Sequence, residues 1–107
     1  MLGAAESCPA LVACLGDEAS NVRGSAATAL GRIGSPEAAP ALIECLHDRA
    51  NNVRGSAATA LGRIGSPDAV PALMECLTDE ADNVRGSAAT ALGRIGSPDA
   101  VPALMEC

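Results

Sequence analysis

Phenylalanine, tyrosine and tryptophan are all absent from this 107-residue chain, and so is lysine. Without rings, the core cannot be anchored by the side chains that dominate most interiors and interfaces. It must be filled by Ala, Leu, Ile, Val, Cys and Met at close spacing. The same absence removes the stacking platforms on which single-stranded nucleic acids are held. Seven basic residues, all arginine, stand against thirteen acidic ones, for a formal charge of -6, so no basic face for nucleic acid is expected either. No apolar run approaches the roughly 18 residues that a membrane span needs, and no signal-peptide pattern follows Met1-Leu2-Gly3. These absences set the expectation of a soluble, cytoplasmic protein that engages neither membrane nor nucleic acid.

Histidine occurs once, at His47, beside Asp48. A lone His near a helix end is a solvated residue or a partner for the helix dipole, and no C-x2-C pair accompanies it. No metal site and no cofactor are expected. The five cysteines fall into two groups. Cys14, Cys45, Cys76 and Cys107 recur at one position of a repeat, whereas Cys8 stands where later copies carry Ala39, Val70 and Val101. Neighbours in such a column sit one unit apart, about 10 Å for packed helices, too far for a disulfide. They read as reduced packing thiols, and no catalytic constellation emerges around them.

What is present is repetition. Residues 52–76 and 83–107 are the same string, NVRGSAATALGRIGSPDAVPALMEC, and 21–45 differs from it only at Glu37, Ala39 and Ile43. A fixed period of 31 residues marks a stacked array in which each unit buries its apolar face against its neighbours. Ala-rich text with few β-branched residues makes the units helical. The expected fold is all-α: a right-handed α-solenoid of two-helix repeats with about seven helices. Its units fall at about 3–34, 35–65 and 66–96, followed by an unpaired helix over 97–107.

The first helix of each unit is expected to open at Ser35-Pro36, Ser66-Pro67 and Ser97-Pro98, with serine as cap and Glu37, Asp68 or Asp99 at the positive end of the dipole. In the second copy Ala69, Val70, Leu73, Met74 and Leu77 share one arc, with Cys76 at its edge. Asp68, Glu75, Thr78 and Asp79 take the other. Pro71 falls on that outer side, one turn inside the helix, where a mild bend is tolerated. The second helix is expected to be capped by Ser20, Asn51 or Asp82. Its core face is Val84, Ala88, Ala91, Leu92 and Ile95, and Gly96 ends it in a left-handed turn. Mid-helix glycine costs about 1 kcal/mol relative to alanine, so Gly86 and Gly93 predict a neighbouring helix too close for a β-carbon.

A polar stripe remains on the second helix, spaced i, i+4, i+7, i+11. It reads Asn21, Ser25, Thr28, Arg32; Asn52, Ser56, Thr59, Arg63; and Asn83, Ser87, Thr90, Arg94. One layer of a two-layer helical solenoid lines its concave surface, the usual place to bind. The stripe is therefore the candidate protein-binding site.

The pattern A-V-P-A-L-x-x-x-L-x-D-x-x-x-x-V-R-x-x-A-A-x-A-L-G-x-I-G, found here from Ala69 to Gly96, resembles the HEAT-like repeats of the phycobilisome-lyase type. The resemblance implies that the helix over 69–78 is the outer, A-type helix and that over 82–95 the inner, B-type helix. It further implies a ladder between units, formed by Asp17, Asp48 and Asp79 with Arg23, Arg54 and Arg85. Relatives of this type include subunits that attach or detach bilins, an iron-dependent hydroxylase whose metal site uses His-Glu pairs, and many binding scaffolds. This chain has no second histidine for such pairs.

The function expected is thus a non-enzymatic scaffold that docks a protein partner on the concave stripe. An accessory subunit of a bilin lyase-like system is the alternative that the resemblance implies. Both ends carry ordinary internal residues rather than polar caps, which predicts either a piece of a longer array or copies that self-associate end to end.

Overall fold

The structure is a computed structural model that describes residues 4–96, with side chains from Pro9 onward. The helix expected over 97–107, with Cys107, Pro98 and Asp99, and the side chain of Cys8 lie outside the described residues. Among the described residues the chain is all-helical: α1 (Ala4–Cys14), α2 (Ser20–Ile33), α3 (Ala39–Cys45), α4 (Asn51–Ile64), α5 (Val70–Cys76) and α6 (Asp82–Ile95). Short 3-10 turns at Pro36–Ala38 and Pro67–Ala69 precede α3 and α5. The odd-numbered helices form one layer and the even-numbered ones the other.

The long helices α2, α4 and α6 pack most extensively on each other, and each short helix packs on the long one that follows it. Glycine makes the tight layer possible. A β-carbon at Gly31 would lie 2.7 Å from the Ala60 Cα, and one at Gly62 the same distance from the Ala91 Cα. The expectation is therefore met at the position of Gly93, one and two units earlier, whereas at the position of Gly86 the earlier Gly24 and Gly55 would first meet the Asn52 and Asn83 side-chain amides at 3.2 and 3.1 Å; neither Gly86 nor Gly93 has a described atom within 4 Å of its would-be β-carbon. Gly65 closes α4 with φ 76°, its N–H donating to the Leu61 carbonyl at 2.9 Å, the left-handed cap that glycine adopts without strain. The odd layer is looser. A crevice of about 320 Å³ opens between α1 and α3, lined by Val12, Leu15, Ala41 and Cys45 among others.

Between the layers lies a core without rings. Leu30, Leu42, Leu61, Leu73 and Leu92 are fully buried, with Val53, Val84 and a bed of alanines between them. Of the expected apolar arc of α5, Ala69, Val70 and Leu73 are buried, whereas Met74 and Leu77 are half-buried at its margin. Cys76, expected at the edge of the arc, is buried on a short helix that packs against α6.

Two local expectations are corrected. The first concerns the start of the short helices. Ser35 and Ser66 precede them but make no side-chain cap bond, and each helix is interrupted by its 3-10 turn. The α-helix proper begins at Val70, so Pro71 is its second residue and not one turn inside. In the first turn the missing N–H has no helical partner to lose, and no bend is needed. The second concerns the long helices. Ser20, Asn51 and Asp82 are their first helical residues, not their caps; the cap positions are Ala19, Ala50 and Ala81. The capping oxygen comes from two residues earlier: Asp17, Asp48 and Asp79 each accept the alanine N–H through Oδ1 at 2.9 Å. A carboxylate folding back on the N–H two residues on is an Asx turn.

Candidate functional site

The aspartates that cap the long helices also join the units. Arg23, near the start of α2, donates from Nε to Asp48 Oδ2 at 2.9 Å and from Nη2 to Asp48 Oδ1 at 3.0 Å. Its Nη1 donates to the carbonyls of Asp17 and Glu18 at 2.8 and 2.9 Å. Arg54 repeats the arrangement on Asp79 at 2.9 and 3.1 Å, with Nη1 on the Asp48 carbonyl at 2.8 Å. The planar fork of arginine fits a carboxylate in this two-bond manner. Arg85 donates to the Asp79 carbonyl at 2.6 Å and pairs with Asp82 on its own helix. Each bridging arginine thus ties its own turn to the next unit.

Electrostatics follow the geometry. The Arg23 guanidinium holds the Asp48 carboxyl below the ordinary carboxylate range, and Arg54 does the same for Asp79. Arg23 and Arg54 are in turn shifted upward by those hydrogen bonds. Burial pushes the Cys45 and Cys76 thiols up, and the neighbouring Asp48 and Asp79 carboxylates add to the effect. A thiol shifted in that direction is a poorer nucleophile and a poorer metal ligand. Cys14, Cys45 and Cys76 carry free thiols. His47 is exposed just past α3. Among the described residues, no three or more His, Cys, Asp or Glu side chains gather as a metal-holding group.

The stripe residues lie on α2, α4 and α6, on the face turned away from the short helices. Asn21, Ser25, Thr28, Arg32, Asn52, Thr59, Arg63, Asn83, Thr90 and Arg94 are exposed, and Ser56 and Ser87 half-buried. Between α2 and α4 they line an open groove of about 500 Å³, walled by Asn21, Ser25, Thr28, Arg32, Asn52 and Ser56 with Gly24 and Ala29. A second groove of about 320 Å³ continues toward α6 along Thr28, Asn52, Gly55, Ser56, Thr59, Asn83 and Ser87. Arg63, Thr90 and Arg94 line neither groove.

Not every stripe residue is available to a ligand. Asn52 Nδ2 donates to the Ser20 carbonyl and Asn83 Nδ2 to the Asn51 carbonyl, both at 3.2 Å. The asparagines therefore stitch neighbouring long helices together, a role the sequence reading missed. The Thr28 hydroxyl donates back to the Gly24 carbonyl at 3.0 Å. That leaves Asn21, the serines, Thr59, Thr90 and the arginines Arg32, Arg63 and Arg94 without such a bond among the described residues.

The sequence matches the HEAT repeats family over residues 1–57 and again over 48–107. Solved structures with a similar fold include the complex of CpcE and CpcF of phycocyanin lyase from Nostoc, at 32% identity and a TM-score of 0.85 over 99% of this chain and 42% of that one. Human deoxyhypusine hydroxylase in complex with glycerol is similar at 29% identity and a TM-score of 0.79, over 85% of this chain and 32% of that one. An engineered protein shares the fold at 24% identity, with a TM-score of 0.72 over 94% of this chain and 50% of that one. The chain thus spans less than half the length of the first two. No curated protein matches the sequence.

Proposed function

The chain belongs to the HEAT repeat family, and from that premise we propose that it is a non-enzymatic scaffold that docks a protein partner on the face of its long helices. The observation that carries this reading is a division of labour among its polar groups. Arg23, Arg54, Asp48 and Asp79 are occupied in joining units, and the described thiols are buried or half-buried. The serines, Thr59 and Arg32 line open grooves with no such duty, and Arg63 and Arg94 are exposed on the same long helices. Close packing of the long helices beside a looser short-helix layer supports a curvature that makes the groove face concave. Replacing Arg32, Arg63 and Arg94 together by Glu tests the proposal. Partner capture is expected to be lost while the helical circular dichroism stays unchanged; capture that survives places the partner elsewhere.

A second reading has its own support. The likeness to the phycocyanin lyase complex extends over 99% of this chain, which favours an accessory role in a bilin lyase-like system. Added bilin would then co-elute with the protein and change its visible spectrum; no change and no co-elution contradicts that role. Self-association is a further part of the proposal. The Arg23 to Asp48 pairing shows what unit stacking requires, and Asp17 presents the same acceptor in exposed form. Light scattering over a concentration series tests it, and a strict monomer at high concentration contradicts it.

A further inference from the structure

Resting on the scaffold reading, we propose that the groove face takes an acidic segment in the polyproline II conformation, with a carboxylate at every third residue. The first observation is charge segregation. The chain carries a formal charge of -6, yet α2, α4 and α6 contain no acidic residue except Asp82 at the start of α6. Arg32, Arg63 and Arg94 are exposed in the last turns of those helices and form no ion pair among the described residues. Of the acids that recur with the units, Glu37, Glu44, Asp68 and Glu75 are exposed on the other layer, and Asp17, Asp48 and Asp79 stand just before the long helices, the latter two paired with Arg23 and Arg54. A local row of guanidinium groups on an acidic protein selects an acidic ligand and repels a basic one.

Spacing supplies the second observation. The three arginines hold the same position in three successive helices, so they repeat at the helix separation, about 8 to 10 Å. The contacts at Gly31 and Gly62 keep that separation short. A polyproline II chain rises about 3.1 Å per residue with three residues per turn, which returns a side chain to one face every ~9.3 Å. In a β-strand successive side chains alternate, so residues three apart point to opposite faces. An acidic α-helix matches the spacing only at every seventh residue, about 10.5 Å at 1.5 Å per residue, and it presents a backbone already hydrogen-bonded to itself.

The third observation concerns the groove floor. The Ser25, Ser56 and Thr59 hydroxyls make no hydrogen bond among the described residues and lie along the two grooves. A polyproline II backbone has no internal hydrogen bonds, so its carbonyls are free to accept from those hydroxyls. A groove lined by short polar groups suits a slim, extended occupant better than a helix about 10 to 12 Å across.

The test uses the whole chain and three fluorescein-labelled peptides: Glu-Pro-Pro repeated four times, Glu-Pro repeated six times, and a helical peptide with glutamate every seventh residue. Fluorescence anisotropy is read at low salt and again near ~0.3 M, where charges are screened within a few ångströms. The proposal predicts that the first peptide binds about tenfold more tightly than either other and loosens with salt. It predicts a loss of about tenfold on Arg32→Gln, Arg63→Gln, Arg94→Gln together, and a smaller loss for Arg63→Gln alone should the triple variant fail to fold. The second peptide carries more carboxylates but aligns them on one face only every sixth residue, so equal or tighter binding by it overturns the spacing argument. Tighter binding by the helical peptide, or binding by none, overturns the proposal as well. In any of those outcomes, partner capture by the intact stripe, lost on substitution by Glu, still upholds the scaffold reading.

Discussion

Arg23 and Asp48 stand 25 residues apart in the chain and are joined by two hydrogen bonds, Nε to Oδ2 at 2.9 Å and Nη2 to Oδ1 at 3.0 Å. Asp48 Oδ1 also accepts the Ala50 N–H at 2.9 Å. One carboxylate therefore starts its own helix and clasps the preceding unit.

That double duty separates two aspartates that look alike in the sequence. Asp17→Ala removes a helix-starting hydrogen bond alone, worth about 1 kcal/mol, or roughly 4 to 8 °C in melting temperature for a chain of this size. Asp48→Ala removes that bond and the clasp on Arg23, and leaves a buried guanidinium without its carboxylate. Thermal denaturation is expected to show at least twice the loss for Asp48→Ala. Equal losses would mean that the inter-unit bridge adds nothing.

Acid should loosen the same joints. Asp48 and Asp79 are held below the ordinary carboxylate range by Arg23 and Arg54. Their folded-state values lie below the unfolded one of about 3.9. The stability they contribute is thus fully present above that pH and is lost as pH falls through the folded values. The melting temperature should hold near pH 6 and fall steadily below about pH 4. Asp48→Asn with Asp79→Asn should flatten that fall. An unchanged slope in the double variant contradicts the account.

Close packing predicts a contrast between glycines. At Gly62 a methyl would meet the Ala91 Cα at 2.7 Å, and backbone cannot step aside cheaply. Gly62→Ala should therefore destabilise by about 1 to 3 kcal/mol despite the better helix propensity of alanine. At Gly55 the methyl meets the Asn83 Nδ2 at 3.1 Å, the end of an exposed side chain. Gly55→Ala should fall within about 0.5 kcal/mol of the parent, its propensity gain offset by a disturbed Asn83 bond. Chemical denaturation separates the two cases.

Thiol chemistry offers another check. Cys45 and Cys76 are buried and their thiols are pushed up, whereas Cys14 is half-buried. Alkylation near neutral pH, followed by peptide mapping, should modify Cys14 well before Cys45 or Cys76. Fast modification of the latter two would contradict their burial at the ends of α3 and α5.

How much of this was legible in the sequence depends on the range of the interaction involved. The two-helix unit and the left-handed Gly96 follow from local propensity repeated on a fixed period. Repetition turns each local preference into a packing rule. The true starts of the long helices were not legible from cap type, because Ser20, Asn51 and Asp82 are all good caps while the carboxylates of Asp17, Asp48 and Asp79 bond the N–H of the cap residue from two positions earlier. The signal was there: an aspartate between two helices can bond the backbone N–H two residues on in an Asx turn. The stitching role of Asn52 and Asn83 was not legible, since it depends on a carbonyl 32 residues away. Only the helix register in three dimensions shows which members of the stripe are already used.

The central claim is that the long-helix face is the binding surface. Site-specific photocrosslinking tests it most directly, with a photoreactive residue placed either at Thr59, exposed in the middle of the stripe, or at Glu75, exposed on the short-helix layer. The account predicts a discrete partner adduct in cell lysate from Thr59 and none from Glu75. Adducts from Glu75 with none from Thr59 would contradict it.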